Sequence, residues 1–140
     1  MRLLAGREYS SGTRWCLWRW TDVVKDGEAY LTRLHLVQVP WFSVMLHWIR
    51  KGDHAPDMHD HPVAFVSFVL RGFYYEGTGG WGRRCIHRLR PNLKHAVDAH
   101  RIYYAAPGTL TLVFAGPVVR DWGYHTADGW VPWRDYQRGT

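Results

Sequence analysis

The chain is a succession of short apolar and aromatic runs separated by turn residues, and no window of ten or more residues carries a convincing helical period. Trp15 to Val24 reads as a strand, Asp26-Gly27 as a tight turn and Ala29 to Val39 as the partner strand. Pro40 interrupts, and Phe42 to Ile49 is a further run of β-forming residues. Lys51 to Pro62 is polar, holds Pro56 and Pro62, and reads as a loop entering a strand. Phe65 to Tyr75 predicts one long strand, Gly79-Gly80 a turn, and Arg84 to Arg90 the return. Leu93–Val97, Arg101–Ala105, Thr109–Phe114 (after a Pro107-Gly108 turn) and Val118–Thr126 complete the series. The terminal GWVPWRDY is too aromatic for a free tail and is expected to pack across the other strands. Many short strands divided by turns imply a sandwich or barrel. The expected fold class is all-β.

Composition narrows this further. A length of 140 residues with no repeat, linker or low-complexity tract predicts one domain over residues 1–140. Nine Trp and eight Tyr suit pleated surfaces and also a lined pocket. No stretch approaches the roughly 20 apolar residues of a membrane helix. The opening MRLLAGREYS lacks the apolar run of a secretory leader. Two cysteines, Cys16 and Cys85, make no disulfide framework, so a reducing, cytoplasmic setting is expected.

The net charge of +6 is carried by arginine, with Lys25, Lys51 and Lys94 the only lysines. Arginine binds carboxylate and phosphate bidentately, which fits a small anionic ligand. Nucleic-acid binding is disfavoured, because the densest basic cluster, Arg83, Arg84, Arg88 and Arg90, lies in no recognisable motif.

The segment with chemistry in it is Gly52-Asp-His-Ala-Pro-Asp-Met-His59-Asp-His61-Pro. His59 and His61 are two apart, so on an extended strand both rings leave one face, with Cα atoms about 6–7 Å apart. Two imidazoles at that spacing can share an ion at about 2.0–2.1 Å. A third ligand must come from elsewhere, and His100, opening a later strand, is the best placed. Asp60 should point to the opposite face, and Asp53 or Asp57 could hold the far nitrogen of a ligand ring. Glu76, His47 and His54 are the alternatives for joining the site. Ser67 shares the parity of His61 and is a candidate substrate contact, while Tyr74, Tyr103 and Tyr104 are candidate proton donors. No residue is singled out as catalytic.

This arrangement resembles the first motif of the RmlC-like cupin superfamily: a glycine, a spacer, HxH, a strand and a closing glycine. Gly52, His59, His61 and Gly72 fall on it, with one residue more than usual after Gly52. The second cupin motif resembles Asn92 to His100, which puts His100 on its histidine. The likeness runs over roughly residues 40 to 126. It implies a single double-stranded β-helix, or jelly-roll, barrel with a divalent transition metal on His59, His61 and His100. Where cupins commonly carry a metal-binding Glu, this chain has Phe65 or Val66, and the usual Pro-x-Gly before His100 is missing. The resemblance therefore implies a three-histidine centre of the thiol-dioxygenase-like kind.

Such a centre takes Fe(II) as the first expectation, with Zn, Ni, Mn or Cu compatible with the same ligands. The expected function is a metal-dependent, dioxygenase-type oxidoreductase acting on a small substrate. Two alternatives stand beside it: a metal- or ligand-binding module without catalysis, and a sugar-nucleotide epimerase- or isomerase-like cupin. Small molecules are the expected partners, no membrane is, and the reading leaves room for a homodimer.

Overall fold

The computed structural model describes residues 15–25, 27–80 and 82–139. The N-terminal MRLLAGREYS and Asp26 lie outside the described residues. The strands are β1 (Cys16–Lys25), β2 (Glu28–Val39), β3 (Phe42–Ile49), β4 (Met58–His59), β5 (Phe65–Arg71), β6 (Phe73–Thr78), β7 (Gly82–His87), β8 (Pro91–Lys94), β9 (His100–Ala105), β10 (Thr109–Ala115), β11 (Gly123–Thr126) and β12 (Gly129–Pro132). A single helical turn and a half, α1 (Trp133–Arg138), closes the description. The strands form two antiparallel six-stranded sheets, ordered β1-β2-β3-β10-β5-β8 and β12-β11-β4-β9-β6-β7.

The inner faces of the two sheets meet in one core. Ile49 and Val69 from the first sheet pack with Tyr74, Ile86 and Ala105 from the second, and Met45, Val113 and Ala115 form a neighbouring cluster with Val63. The inner face of the first sheet is partly polar: Ser43, Ser67, Asn92, Lys94, Thr109 and Thr111 are all buried. Its outer face carries a continuous apolar row beside polar positions at Asp22, Thr32 and Arg71. Cross-strand register sets Trp20, Leu34, Leu46, Leu112, Phe68 and Pro91 in one row across all six strands. For the sheet the usual apolar-in, polar-out alternation is thus partly reversed.

The all-β expectation holds, with local differences: β4 lies within the expected loop Lys51–Pro62, β7 and β8 begin and end earlier than the expected Arg84–Arg90 and Leu93–Val97, and two larger departures follow. The run Phe65 to Tyr75 is two strands, because Gly72 at φ +78 turns the chain from one sheet to the other. A Cβ at Gly72 would meet the Thr109 side chain at 2.5 Å, so both the dihedral and the close approach require glycine. Val118 to Thr126 contributes only its last four residues as a strand. The aromatic C-terminus pairs as β12 and then forms α1, stacking Trp133 on Trp122 and Tyr136 on Tyr124.

A candidate three-histidine metal centre

His59 and His100 are direct antiparallel partners on β4 and β9, so their side chains leave the same face of the second sheet. His61 lies one pleat beyond His59. The three rings form a nearly equilateral triangle, with centroids 5.1 Å (His59–His61), 4.9 Å (His59–His100) and 4.9 Å (His61–His100) apart. One ring nitrogen from each lies within 4.8 Å of the others, and among the described residues this is the one group with a metal-ligand arrangement. His47, His54 and Glu76 are not part of it.

Two of the rings have a carboxylate beside them. His100 Nδ1 lies 2.9 Å from Glu76 Oε2, and Glu76 is completely buried. Glu76 Oε1 meanwhile accepts from Arg84 Nε (2.9 Å), a second Arg84 nitrogen (2.7 Å) and Lys94 Nζ (2.8 Å). Burial alone would raise the Glu76 carboxyl, but His100 and Lys94 hold it well below the usual range. An ionised Glu76 makes His100 Nδ1 the donor, which leaves the Nε2 lone pair directed at the triangle. His61 Nε2 stands 2.8 Å from that atom.

His59 Nδ1 lies 3.7 Å from Asp53 Oδ2. Asp53 is fixed in turn by β9: its amide donates to Ile102 O and its carboxylate accepts from Ile102 N–H, both at 2.7 Å. This explains the glycine that opens the motif. A Cβ on Gly52 would stand 2.5 Å from Tyr103 O, so only glycine lets the loop lie this close to β9 and seat Asp53.

Asp60 points away from the triangle, as strand alternation requires. It accepts from Arg120 (2.6 Å), Gly123 N–H (2.8 Å), Trp130 Nε1 (2.9 Å) and His125 Nε2 (3.1 Å). That hub pins the β11–β12 hairpin beside β4, and brings Tyr124 on β11 and Trp122 just before it to about 6 Å from the His59 ring (6.1 and 6.2 Å between centroids).

Phe65 occupies the place expected for a fourth, carboxylate ligand. Its ring packs edge-on against His61 at 4.8 Å, whereas Val66 faces outward. Ser67 is buried inside, close to Tyr74 and Asn92. Tyr74 accepts from Asn92, Tyr103 is covered by Arg83 and Arg101, and Tyr104 packs with Phe73 and Tyr75. The tyrosine that does adjoin the site is Tyr124, whose hydroxyl burial pushes far above its ordinary pKa. Sequence gave no sign of it, because its approach depends on the Asp60 hub.

The donor set fits a divalent transition metal. Burial brings His59 down to about 4, with the His100 field adding to the fall and Asp53 opposing it. Burial and the fields of His100 and His59 take His61 well below its usual value. Both rings are thus neutral bases at physiological pH, the form that coordinates metal.

A pH prediction follows. A histidine with a pKa near 6.5 unfolded and about 4 folded leaves stability intact above 6.5 and removes it as pH falls towards 4. The apo-protein should therefore lose thermal stability on acidification from pH 7 to pH 4.5, and H59A should lose less. Parallel melting curves for the two across that window would remove the assignment.

No family model and no curated protein sequence matches the chain. Solved structures do. An RmlC-like cupin from Shewanella frigidimarina superposes with a TM-score of 0.54 at 16% identity, covering 69% of this chain and 84% of that one. The fold is a cupin. The DMSP lyase DddQ from Ruegeria pomeroyi matches with a TM-score of 0.57 at 15% identity, over 77% of this chain and 58% of its own. Fe(II)-HppE matches with a TM-score of 0.57 at 16% identity, over 71% of this chain and 55% of its own. The cupin barrel is formed by the two sheets described above, and the histidine triangle projects from the inner face of the second. No helix among the described residues is long and apolar enough to cross a membrane.

Proposed function

We propose that this cupin is a metal-dependent oxidoreductase of dioxygenase type, with His59, His61 and His100 as the ligands of one divalent transition metal and Fe(II) as the first candidate. The observation that carries the proposal is the triangle of three imidazoles, with Phe65, not a carboxylate, beside it. When bound, the ion supplies Lewis acidity and open coordination positions for small ligands. Everything else is the work of the chain itself. Glu76 orients His100, Asp53 places a carboxylate beside His59, Phe65 keeps a side of the centre apolar, and Trp122 and Tyr124 form an aromatic wall beside His59. Fe(II)-HppE has the same fold, which supports iron over the other metals that three nitrogens would accept.

The substrate is a small molecule, and the chain's positive charge favours an anionic one. Cys16 and Cys85 are both free, which suits a reducing cytoplasm.

Metal analysis of protein purified without added ions should find one transition-metal ion per chain. After anaerobic loading with Fe(II), nitric oxide should give the electron-spin signal of an iron–nitrosyl adduct, because three protein ligands leave positions free on an ion that prefers five or six. Oxygen uptake with thiols, diketones or phenols then identifies the substrate class. A metal-loaded protein that forms no adduct would be a binding module without oxygen chemistry. Protein that takes up no metal would favour the isomerase-like alternative.

A further inference from the structure

The histidines of the metal centre leave the inner face of the second sheet, and the outer face of its β9, β6 and β7 strands has a chemistry of its own. Pairing sets Tyr75 directly opposite Tyr104 on β9 and Cys85 on β7, and sets Gly77 opposite Arg101 and Arg83 in the same way. The Tyr75 and Tyr104 rings lie 6.3 Å apart between centroids and are 42% and 47% exposed. Phe73 meets Tyr75 edge-on at 5.8 Å and braces Tyr104 at 6.1 Å. One step along the strands, Tyr103 lies beneath two guanidinium groups, Arg83 at 4.1 Å from its ring centre and Arg101 at 5.0 Å. Gly77 leaves the space for that ring, since a Cβ there would stand 2.5 Å from it.

No negative charge within the three strands offsets these arginines on this face. Their sequences hold one carboxylate, Glu76, which is turned inward and completely buried. Asp60, also turned outward from the sheet, is 1% exposed and closed off by Arg120 and Trp130. Arg88 and Arg90, both exposed, continue the basic charge past the end of β7. The fold thus divides the arginine cluster seen in the sequence. Arg84 turns inward to Glu76, and Arg83 turns outward to Tyr103, where Arg101 joins it from β9.

We propose that this face binds single-stranded nucleic acid, stacking two bases on Tyr75 and Tyr104 and holding the adjoining phosphates with Arg83 and Arg101. Two features select this partner. An exposed aromatic pair on neighbouring strands is a platform for unpaired bases, because every base offers a flat π-face. Guanidinium groups grip phosphate oxygens bidentately, and the contact with Tyr103 holds both of them in place before a phosphate arrives. A duplex hides its base faces in its own stack, and a simple polyanion has nothing to lay on the tyrosines. The face addresses base planes and phosphates, which RNA and DNA share, so it takes both. No linear motif announces it, since register assembles it from strands spread over residues 73 to 105.

Fluorescence anisotropy at low salt, with labelled oligo-U and oligo-dT of about ten nucleotides, should give dissociation constants of about 1–100 μM for both. A duplex of the same length should bind at least about 10-fold more weakly. Y75L and Y104L keep apolar cover but remove the aromatic face, and each should weaken binding about 5- to 100-fold. R83A should flatten the slope of log affinity against log salt by about 0.7. R138A, on α1, should change neither affinity nor slope, and metal content should stay as in the wild type throughout. If a leucine variant does not fold, chemical-shift mapping of the wild-type protein with oligo-U carries the test, and the shifts should fall on Tyr75, Tyr104 and Arg83. The proposal is overturned by the absence of saturable binding to either oligonucleotide, including the case in which these tyrosines mediate self-association instead. It is equally overturned by leucine variants that bind as the wild type does, by shifts confined to other surfaces, or by a duplex that binds as tightly as the single strands.

Discussion

H59A and H61A lose bound metal, each falling more than about 100-fold in affinity, while H87A keeps the wild-type stoichiometry. The scale follows from coordination. Loss of a residue that only orients a ligand typically costs about 10- to 100-fold in affinity, and loss of a ligand costs more. His59 and His61 each contribute one corner of a triangle, and two remaining nitrogens hold an ion poorly. His87 is exposed at the end of β7, paired with Phe73, and touches no part of the centre. The fold should survive both substitutions, because neither histidine belongs to the core clusters built on Met45, Ile49, Val69, Ile86 and Val113. Equilibrium competition with a chelator measures the affinities. Full stoichiometry in both H59A and H61A would remove the centre.

E76A should have a double effect: apo-protein stability falls by about 3–5 kcal/mol, and metal affinity falls about 10- to 100-fold. Glu76 is completely buried and Lys94 is 2% exposed, so removing the carboxylate strands a buried ammonium. The same change frees His100 Nδ1 from its acceptor, and the ring loses its fixed tautomer and direction. A double variant, E76L/K94M, separates the two consequences. Replacing a buried pair with apolar residues of similar volume is often close to neutral for stability, so the double variant should regain stability but not metal affinity. H100A should lose metal more severely than E76A while destabilising less. If Glu76 were itself a ligand, E76A would lose metal as severely as H100A. Equilibrium competition with a chelator, run on both variants, decides the matter, and chemical denaturation of the metal-free variants reads the change in stability.

The strand content and the fold class were legible because both depend on local pattern. Runs such as Phe42–Ile49 announce themselves by β-forming residues between turn signals, and that run matches β3 at both ends. The glycine, HxH and closing-glycine spacing pointed to the cupin fold because each position answers a physical need nearby. Gly52 must pass close to β9, Gly72 must turn at positive φ, and the two histidines must share a face.

What only the tertiary structure decided is whatever joins residues far apart in the chain. Glu76 reads from sequence as a rival ligand near a turn, yet it is the buried acceptor that aims His100, across a pairing of β6 with β9. Lys94, to which the sequence assigns no role, is enclosed beside that carboxylate. Tyr124 and Trp122 reach the site only because Asp60, turned away from it, binds the C-terminal hairpin. The apolar row on the outer face of the first sheet exists only in the register of six strands drawn from residues 16 to 115, since no single strand displays it. Local spacing fixes which side of a strand a residue takes; which strand lies opposite is set by long-range packing, and that is where the partners of the site are chosen.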